Sequence, residues 1–248
     1  KIQSILFHDL LFSQNLQTIQ LQYAKQIKSI NLTIYDRLKF IDFSNNMNLK
    51  YVSLHLMTDY TYLQQLILSY TIMKDFFIDF THTKQKFLHI DIIDMSHSYL
   101  ETIHFLKYLT FYSLDLSYNR LKIVDIDQIN FHHRIYQSSL MNFLNFSSNN
   151  MKSIKINWKN QSPHTIDLSH NNLQSIELYG PSTYSLLLQN NTNLSIIPMN
   201  FNINLPLLQY LDLNSIHFDS FDNLIYLYNL SNLHTLILNN NHIKSIGC

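Results

Sequence analysis

The chain has 248 residues, with 17 basic and 17 acidic side chains and a formal net charge of zero. That length allows one elongated domain with ample core, while the balanced, scattered charge excludes a basic nucleic-acid stripe and no apolar run approaches the ~20 residues of a membrane span. Two Gly rule out phosphate-cradling loops, and a lone Cys, Cys248, leaves no disulfide within the chain.

In chain order, Lys1-Ile2-Gln3-Ser4-Ile5 is not a signal peptide. It matches the later run His242-Ile243-Lys244-Ser245-Ile246, so the sequence reads as starting inside a repeating array. A pattern LxxLxLxxN then recurs, with first apolar positions at Leu16, Leu38, Leu63, Ile90, Phe111, Met141, Pro163, Thr183, Leu208 and Leu233. The intervals run from 20 to 30 residues. Within each copy the xLxLx stretch alternates with period two, which predicts a short strand with one buried face. The inward pairs are Ile19/Leu21, Ile41/Phe43, Leu66/Leu68, Ile93/Met95, Leu114/Leu116, Leu144/Phe146, Ile166/Leu168, Leu186/Leu188, Leu211/Leu213 and Leu236/Leu238. One such strand cannot bury its apolar side alone; stacked neighbours can, as a continuous parallel sheet.

The residue closing each motif is Asn46, Asn119, Asn149, Asn171, Asn191 or Asn241 in six copies, and Ala24, Thr71, Ser98 or Ile216 in the other four. The LxxLxLxxN pattern resembles that of leucine-rich repeat proteins, and the resemblance implies that the six Asn form a structural ladder along the turns; a buried amide must be fully bonded. Irregular turns are expected at 24 and 216. Two motifs, at Asn46 and Asn191, carry one extra residue before the next Leu. The chain then returns on the other side, marked by Ile30, Val52, Ile103, Val124, Ile154, Ile176, Ile197, Phe221 and Ile246. These returns lack helical periodicity, so loops, 3-10 turns and a short helix at Asp222–Tyr228 are expected there.

These features define an α/β leucine-rich repeat solenoid: a curved horseshoe with about ten short parallel strands on its concave face and an irregular, 3-10 or short-helix convex side. The whole chain, 1–248, reads as a single array and as a fragment lacking both terminal caps, whether the array continues or Cys248 begins a missing cap. The scarcity of Ala, Val, Arg and Gly has a bland explanation in an AT-rich coding genome.

The concave face of a solenoid is an extended groove and the default binding surface. Its central outward row reads Gln20, Asp42, Ile67, Asp94, Asp115, Asn145, Asp167, Leu187, Asp212 and Ile237. Asp94 and Asp115 are expected on adjacent strands, roughly 5 Å apart, where like charges repel. Two readings stay open. Asp94, Asp115, Asp167 and Asp212 make an acidic groove for a basic partner or cation, or LDLS is a common strand whose Asp bonds nearby Ser or backbone. Phe40, Tyr70, Tyr118, Phe143 and Tyr210 share the face, either as binding anchors or as laterally packed side chains.

Six N-x-S/T motifs occur, at Asn31, Asn145, Asn160, Asn190, Asn193 and Asn229. With 28 Asn and 38 Ser plus Thr, chance alone yields about four. Asn31 and Asn229 fall on returns and are the favoured glycan acceptors, with Asn190 and Asn193 also candidates; a Pro after the Ser disfavours Asn160, and Asn145 lies mid-strand. The longest insertion, 125–140, carries Phe131-His132-His133-Arg134. Adjacent histidines do not converge on one ion, and no third ligand is evident. Neither a nucleophile elbow nor HExxH is present. No catalytic residue, metal or cofactor is therefore expected.

The copies Phe111-Tyr112-Ser113-Leu114-Asp115-Leu116-Ser117-Tyr118-Asn119-Arg120-Leu121 and Pro163-His164-Thr165-Ile166-Asp167-Leu168-Ser169-His170-Asn171-Asn172-Leu173 resemble the extracellular class of leucine-rich repeat proteins. So does the short link Ile176-Glu177-Leu178-Tyr179-Gly180 into a compact repeat. That class includes Toll-like receptor ectodomains and the secreted leucine-rich immune proteins of mosquitoes. The latter bind a complement-like thioester protein, and add cysteines, caps and a coiled coil that this sequence does not contain. The resemblance implies a non-enzymatic, extracellular (secreted or receptor ectodomain) protein-binding module in innate immune recognition. Its partner would be a protein ligand or receptor, with no nucleic acid, no membrane contact within this fragment, and room for a dimer. An adhesion or developmental receptor ectodomain is the alternative. An intracellular scaffold or regulatory subunit is another, disfavoured by the uneven repeat lengths.

Overall fold

Alternation within each LxL motif produces parallel strands, and the register between them stacks like residues on like. A computed structural model describes residues 4–6, 15–59, 61–84, 86–126, 130–131, 143–158, 162–195, 197–198 and 200–244. It falls into two units, Lys1–Asn119 and Arg120–Cys248. In the first, an LxL sheet is built in chain order from Thr18–Gln20, Phe40–Asp42, Tyr62–Ile67, Leu88–Asp94 and Leu109–Asp115. In the second, the LxL strands are Phe143–Asn145, Thr165–Asp167, Ser185–Leu187, Tyr210–Asp212 and Thr235–Ile237. All pairings between these neighbours within a unit are parallel, for example Ile166↔Leu186 and Leu186↔Leu211. The fold is a leucine-rich repeat solenoid.

The core follows the motif. Leu66/Leu68, Leu114/Leu116, Leu144/Phe146, Ile166/Leu168, Leu186/Leu188 and Leu211/Leu213 are all wholly buried. Leu236 is 39% exposed on Thr235–Ile237, a strand that among the described residues is stacked on one side only. The extra residue after Asn46 and Asn191 closes a tight turn: the Leu49 amide donates to the Asn46 carbonyl at 2.9 Å and Leu194 to Asn191 at 3.0 Å. Both leucines then reach the core.

The returns are of two kinds. Some are irregular or 3-10, as expected. Others are strands, which the single apolar markers did not signal. In the first unit Ser4–Leu6, Ser29–Ile34, Tyr51–Leu56 and Asp75–Asp79 form a second parallel sheet. In the second unit Ile123–Ile126, Ser153–Asn157 and Ser175–Tyr179 do the same. The reason is a second alternating pattern: Ile30, Leu32 and Ile34 point inward, and Val52, Leu54 and Leu56 pack beside them. The core lies between each LxL sheet and its return sheet. Phe221, one of the markers, is 36% exposed. The 3-10 helix Phe221–Asn229 instead buries Leu224 and Leu227, a spacing of three that suits three residues per turn, and Leu230, just past its end, is buried as well.

Every turn after an LxL strand holds one residue in the left-handed region, with φ from 49° to 60°: Tyr23, Asn45, Tyr70, His97, Tyr118, Ser148, His170, Asn190, Ser215 and Asn240. Asn and His tolerate that region better than bulky residues do. The turn at Ala24 keeps a single left-handed residue, Tyr23, but differs from the other rungs in its bond: the amide of Ala24 itself donates to the Asn46 Oδ1 atom of the next rung at 2.7 Å, where Leu100, Leu121, Met151, Leu173 and Phe218 donate from two residues past the ladder position. The turn at Ile216 is irregular as expected, with a second left-handed residue, His217, at φ 69°.

Candidate functional site

The ladder positions are built from shared bonds. Asn171 accepts the Met151 amide at 3.0 Å and donates to the carbonyls of Phe146, Leu168 and Ser169 at 3.0, 3.1 and 3.1 Å. Asn191 donates to the same Leu168 carbonyl at 2.9 Å, and Asn149 to the same Phe146 carbonyl at 3.0 Å. Asn119 links Leu100, Met95 and Leu116, Asn46 links Ala24, Leu21 and Phe43, and Asn241 links Phe218, Leu213 and Leu238 in the same way. Thr71 and Ser98 substitute hydroxyls: each reaches the Leu68 carbonyl, at 3.1 and 3.4 Å, and the two bond each other at 3.0 Å.

On the exposed face of the first LxL sheet, the central row runs in register Gln20, Asp42, Ile67, Asp94, Asp115. Asp94 and Asp115 are thus neighbours. In the second unit the row is Asn145, Asp167, Leu187, Asp212, Ile237, so Leu187 separates Asp167 from Asp212. Each carboxylate also has a local task. One oxygen of Asp42, Asp94, Asp115, Asp167 and Asp212 accepts the amide two residues on, at 2.8 to 3.0 Å. Asn145 does the same with its amide oxygen at 2.9 Å.

The aromatic candidates do not form one patch. Phe143 and Tyr210 share a row in the second unit but Thr165 and Ser185 lie between them. Phe40 stands beside Thr18 and Gln65. Tyr70 and Tyr118 flank His97, whose ring stacks on both, with centroids 4.3 and 4.2 Å apart and interplanar angles of 8° and 9°. The two tyrosines remain 47% and 54% exposed. His97, the middle of this stack, does not stand out among the Phe and Tyr side chains of the face by residue type; its place one rung between two tyrosines is the signal that finds it.

A second cluster sits at the beginnings of the same strands. His89 stacks on Tyr62, meets Tyr112 edge-on, and bonds Asp91 at 3.1 Å and Thr110 at 2.8 Å. Tyr62 donates its hydroxyl proton to Asp91. Tyr62, His89 and Thr110 each immediately precede a first apolar position.

On the return sheet of the first unit, Ser53 Oγ lies 3.2 Å from His55 Nε2, and His55 Nδ1 lies 3.0 Å from Asp79 Oδ2. The order is that of a hydrolytic triad, but such a triad also needs donors for an oxyanion. Tyr51–Leu56 is paired along both edges, which commits the backbone amides around Ser53 to the ladders. The line acts as a clamp between strands. The hydroxyl of Thr81, then His55 and the Thr81 amide, hold the Asp79 carboxyl down at about 2.

Asn31 is half-buried within Ser29–Ile34, in register with Ser53. Asn193 and Asn229 are exposed, while Asn190 reaches His170 at 3.3 Å. Asn160, His132, His133, Met141, Ile246 and Cys248 lie outside the described residues. Among the described residues no cluster of His, Cys, Asp and Glu could hold a metal ion, and no helix is long and apolar enough to cross a membrane.

No family model matches the sequence, and no curated protein matches it. Among solved structures, the chain is similar to the leucine-rich repeat domain of APL1B, with a TM-score of 0.57 at 18% identity, over 83% of this chain and 58% of that one. A leucine-rich repeat protein from Bacteroides eggerthii gives 0.44 at 14% identity, over 94% of this chain and 47% of the other. A leucine-rich repeat protein of Leptospira interrogans gives 0.36 at 16%, over 94% and 84%. At these identities the likeness is one of fold, and the chain spans little more than half the length of the APL1B domain.

Proposed function

We propose that this chain is a non-enzymatic protein-binding module that holds a basic protein partner on the exposed face of the LxL sheet in its first unit. It acts outside the cell, in innate immune recognition or the capture of a complement-like partner. The observation that carries this is the pair Asp94 and Asp115, in register on adjacent strands. The fold needs only an acceptor for the amide two residues on, and Asn145 meets that need without charge. Two adjacent carboxylates repel, so the charge itself points to a ligand. The stacked Tyr70, His97 and Tyr118 rings, three residues further along each rung, supply an amphipathic wall beside it. Uneven repeat lengths and the exposed sequons at Asn193 and Asn229 support the extracellular placement.

The test is a partner recovered by affinity capture from the native source and identified by mass spectrometry, then measured against the double variant Asp94→Asn, Asp115→Asn. Asparagine keeps the turn bond and removes only charge. Affinity should fall by about tenfold or more, with an unchanged circular dichroism melt. Unchanged affinity would overturn this face as the binding surface, and an unmodified Asn193 and Asn229 in the native protein would remove the support for secretion.

A further inference from the structure

Asp75–Asp79 is one of the two edge strands of the first unit's return sheet. Among the described residues it pairs with Tyr51–Leu56 on one side and with no strand on the other. The amides of Tyr51 and Met57 donate to Lys28 and Ile34, at 3.3 and 3.1 Å, so odd-numbered residues of Tyr51–Leu56 face the preceding strand. Val52 and Leu54 therefore face Asp75–Asp79. In the parallel register Val52↔Phe76, this commits the backbone of Asp75, Phe77 and Asp79 to the ladder and turns that of Phe76 and Ile78 toward the open side.

The following return does not supply the missing strand. It becomes the 3-10 helix His104–Tyr108, whose Phe105 meets Phe76 edge-on at 5.3 Å. Strand and helix enclose a groove of about 460 Å³, lined by Phe77, Ile78, Phe80 and Tyr108. Phe77 is 55% exposed and Tyr108 40%. Lys74 and Lys107 stand on the rim. Among the described residues neither has a carboxylate partner; Lys107 lies 4.8 Å from the centroid of the Tyr108 ring instead. Asp75 is the one carboxylate among the groove's lining residues.

An unpaired strand edge is a template for another strand, and strand addition combines main-chain bonds with pockets for alternate side chains. We propose that this edge binds an extended segment of a partner protein. The segment adds as a strand along Phe76–Ile78, places an apolar side chain between Phe77 and Tyr108, and sets an acidic side chain against Lys74 or Lys107. The two unmatched ammonium groups select the acidic partner. This surface is separate from the LxL face and does not depend on it.

The probe is a short, blocked, fluorescein-labelled peptide alternating glutamate and valine around a central phenylalanine, titrated into the whole chain and followed by fluorescence anisotropy. Saturable binding is expected, weakened by about tenfold or more when Lys74 and Lys107 are both changed to Glu. Both lysines are exposed, so the variant should keep its circular dichroism spectrum. N-methylation of alternate probe amides distinguishes strand addition from side-chain adsorption: one alternate set should abolish binding and the other should not. No binding, equal binding by both methylated probes, or retained binding by a lysine-for-glutamate probe would overturn the proposal. So would displacement of the probe by self-association of the chain, which would make a second copy the occupant.

Discussion

Replacing Asn171 by Ala tests whether the amide ladder holds the second unit together. The Met151 amide would lose its acceptor inside the core, and an orphaned buried donor costs about 1–3 kcal/mol. The Phe146 and Leu168 carbonyls would each keep one donor, from Asn149 and Asn191, so they add little. The small void left by the amide adds a fraction more, and the total is about 1–4 kcal/mol. Trp158, buried in the same unit and the only Trp, reports the loss by fluorescence in urea unfolding. Asn171→Asp is the sharper variant. It keeps an acceptor for Met151 but turns a carboxylate oxygen toward the carbonyls of Phe146, Leu168 and Ser169, which raises that carboxyl's folded pKa above its unfolded value. Its stability should therefore be highest in acid and fall as pH rises. Removing Asn171 and Asn191 together leaves the Leu168 carbonyl without either amide, so the double variant should lose about 0.5 kcal/mol or more beyond the sum of the two. A loss below about 0.5 kcal/mol for Asn171→Ala would refute the ladder as a structural device.

Two further predictions concern single sites. The Asp79 carboxyl, held near 2 by Thr81 and His55, lies below the ordinary value of about 3.9. Its contribution to stability is present above pH ~4 and disappears as pH falls toward ~2. The effect is small because the side chain is 36% exposed. The difference in melting temperature between the native chain and Asp79→Asn should close over that interval; a constant difference would contradict the clamp. Gly180→Ala should lower stability by about 1–3 kcal/mol in urea, because the added methyl would stand 2.6 Å from Thr183 Oγ1 and 3.0 Å from Leu205. Thr183 cannot turn away freely, since its hydroxyl already bonds Ser162 and Pro163 at 2.9 Å. Gly180→Ala of native stability would show that this corner yields.

The LxL strands were legible because both inward positions of each rung are apolar and the spacing repeats. The return strands are harder to read, because one apolar marker per return, such as Ile30 or Val52, does not distinguish a strand from a loop. The alternation of Ile30, Leu32 and Ile34, with Asn31 and Thr33 between, carries a strand signal of its own. Ala24 shows how the ladder couples neighbouring rungs. An amide in this ladder serves the turn before it as well as its own, so a missing Asn removes one rung's donors while the next rung's Asn46 still accepts the Ala24 amide. Ile216 shows the other outcome. Phe218 still donates to Asn241 at 3.0 Å, yet the turn takes a second left-handed residue at His217.

The candidate site divides along a similar line. Adjacency of Asp94 and Asp115 follows from counting along a repeat, but the amide each one accepts depends on turn geometry that no spacing reveals. That bond changes how the charge should be tested. Reversal to Lys would remove an acceptor from the turn as well as a negative charge, so weakened binding could come from a disturbed rung. Asn145 shows that an amide oxygen holds the same turn. Substitution by Asn separates the two effects, and binding that survives it would return the acidic row to the fold alone.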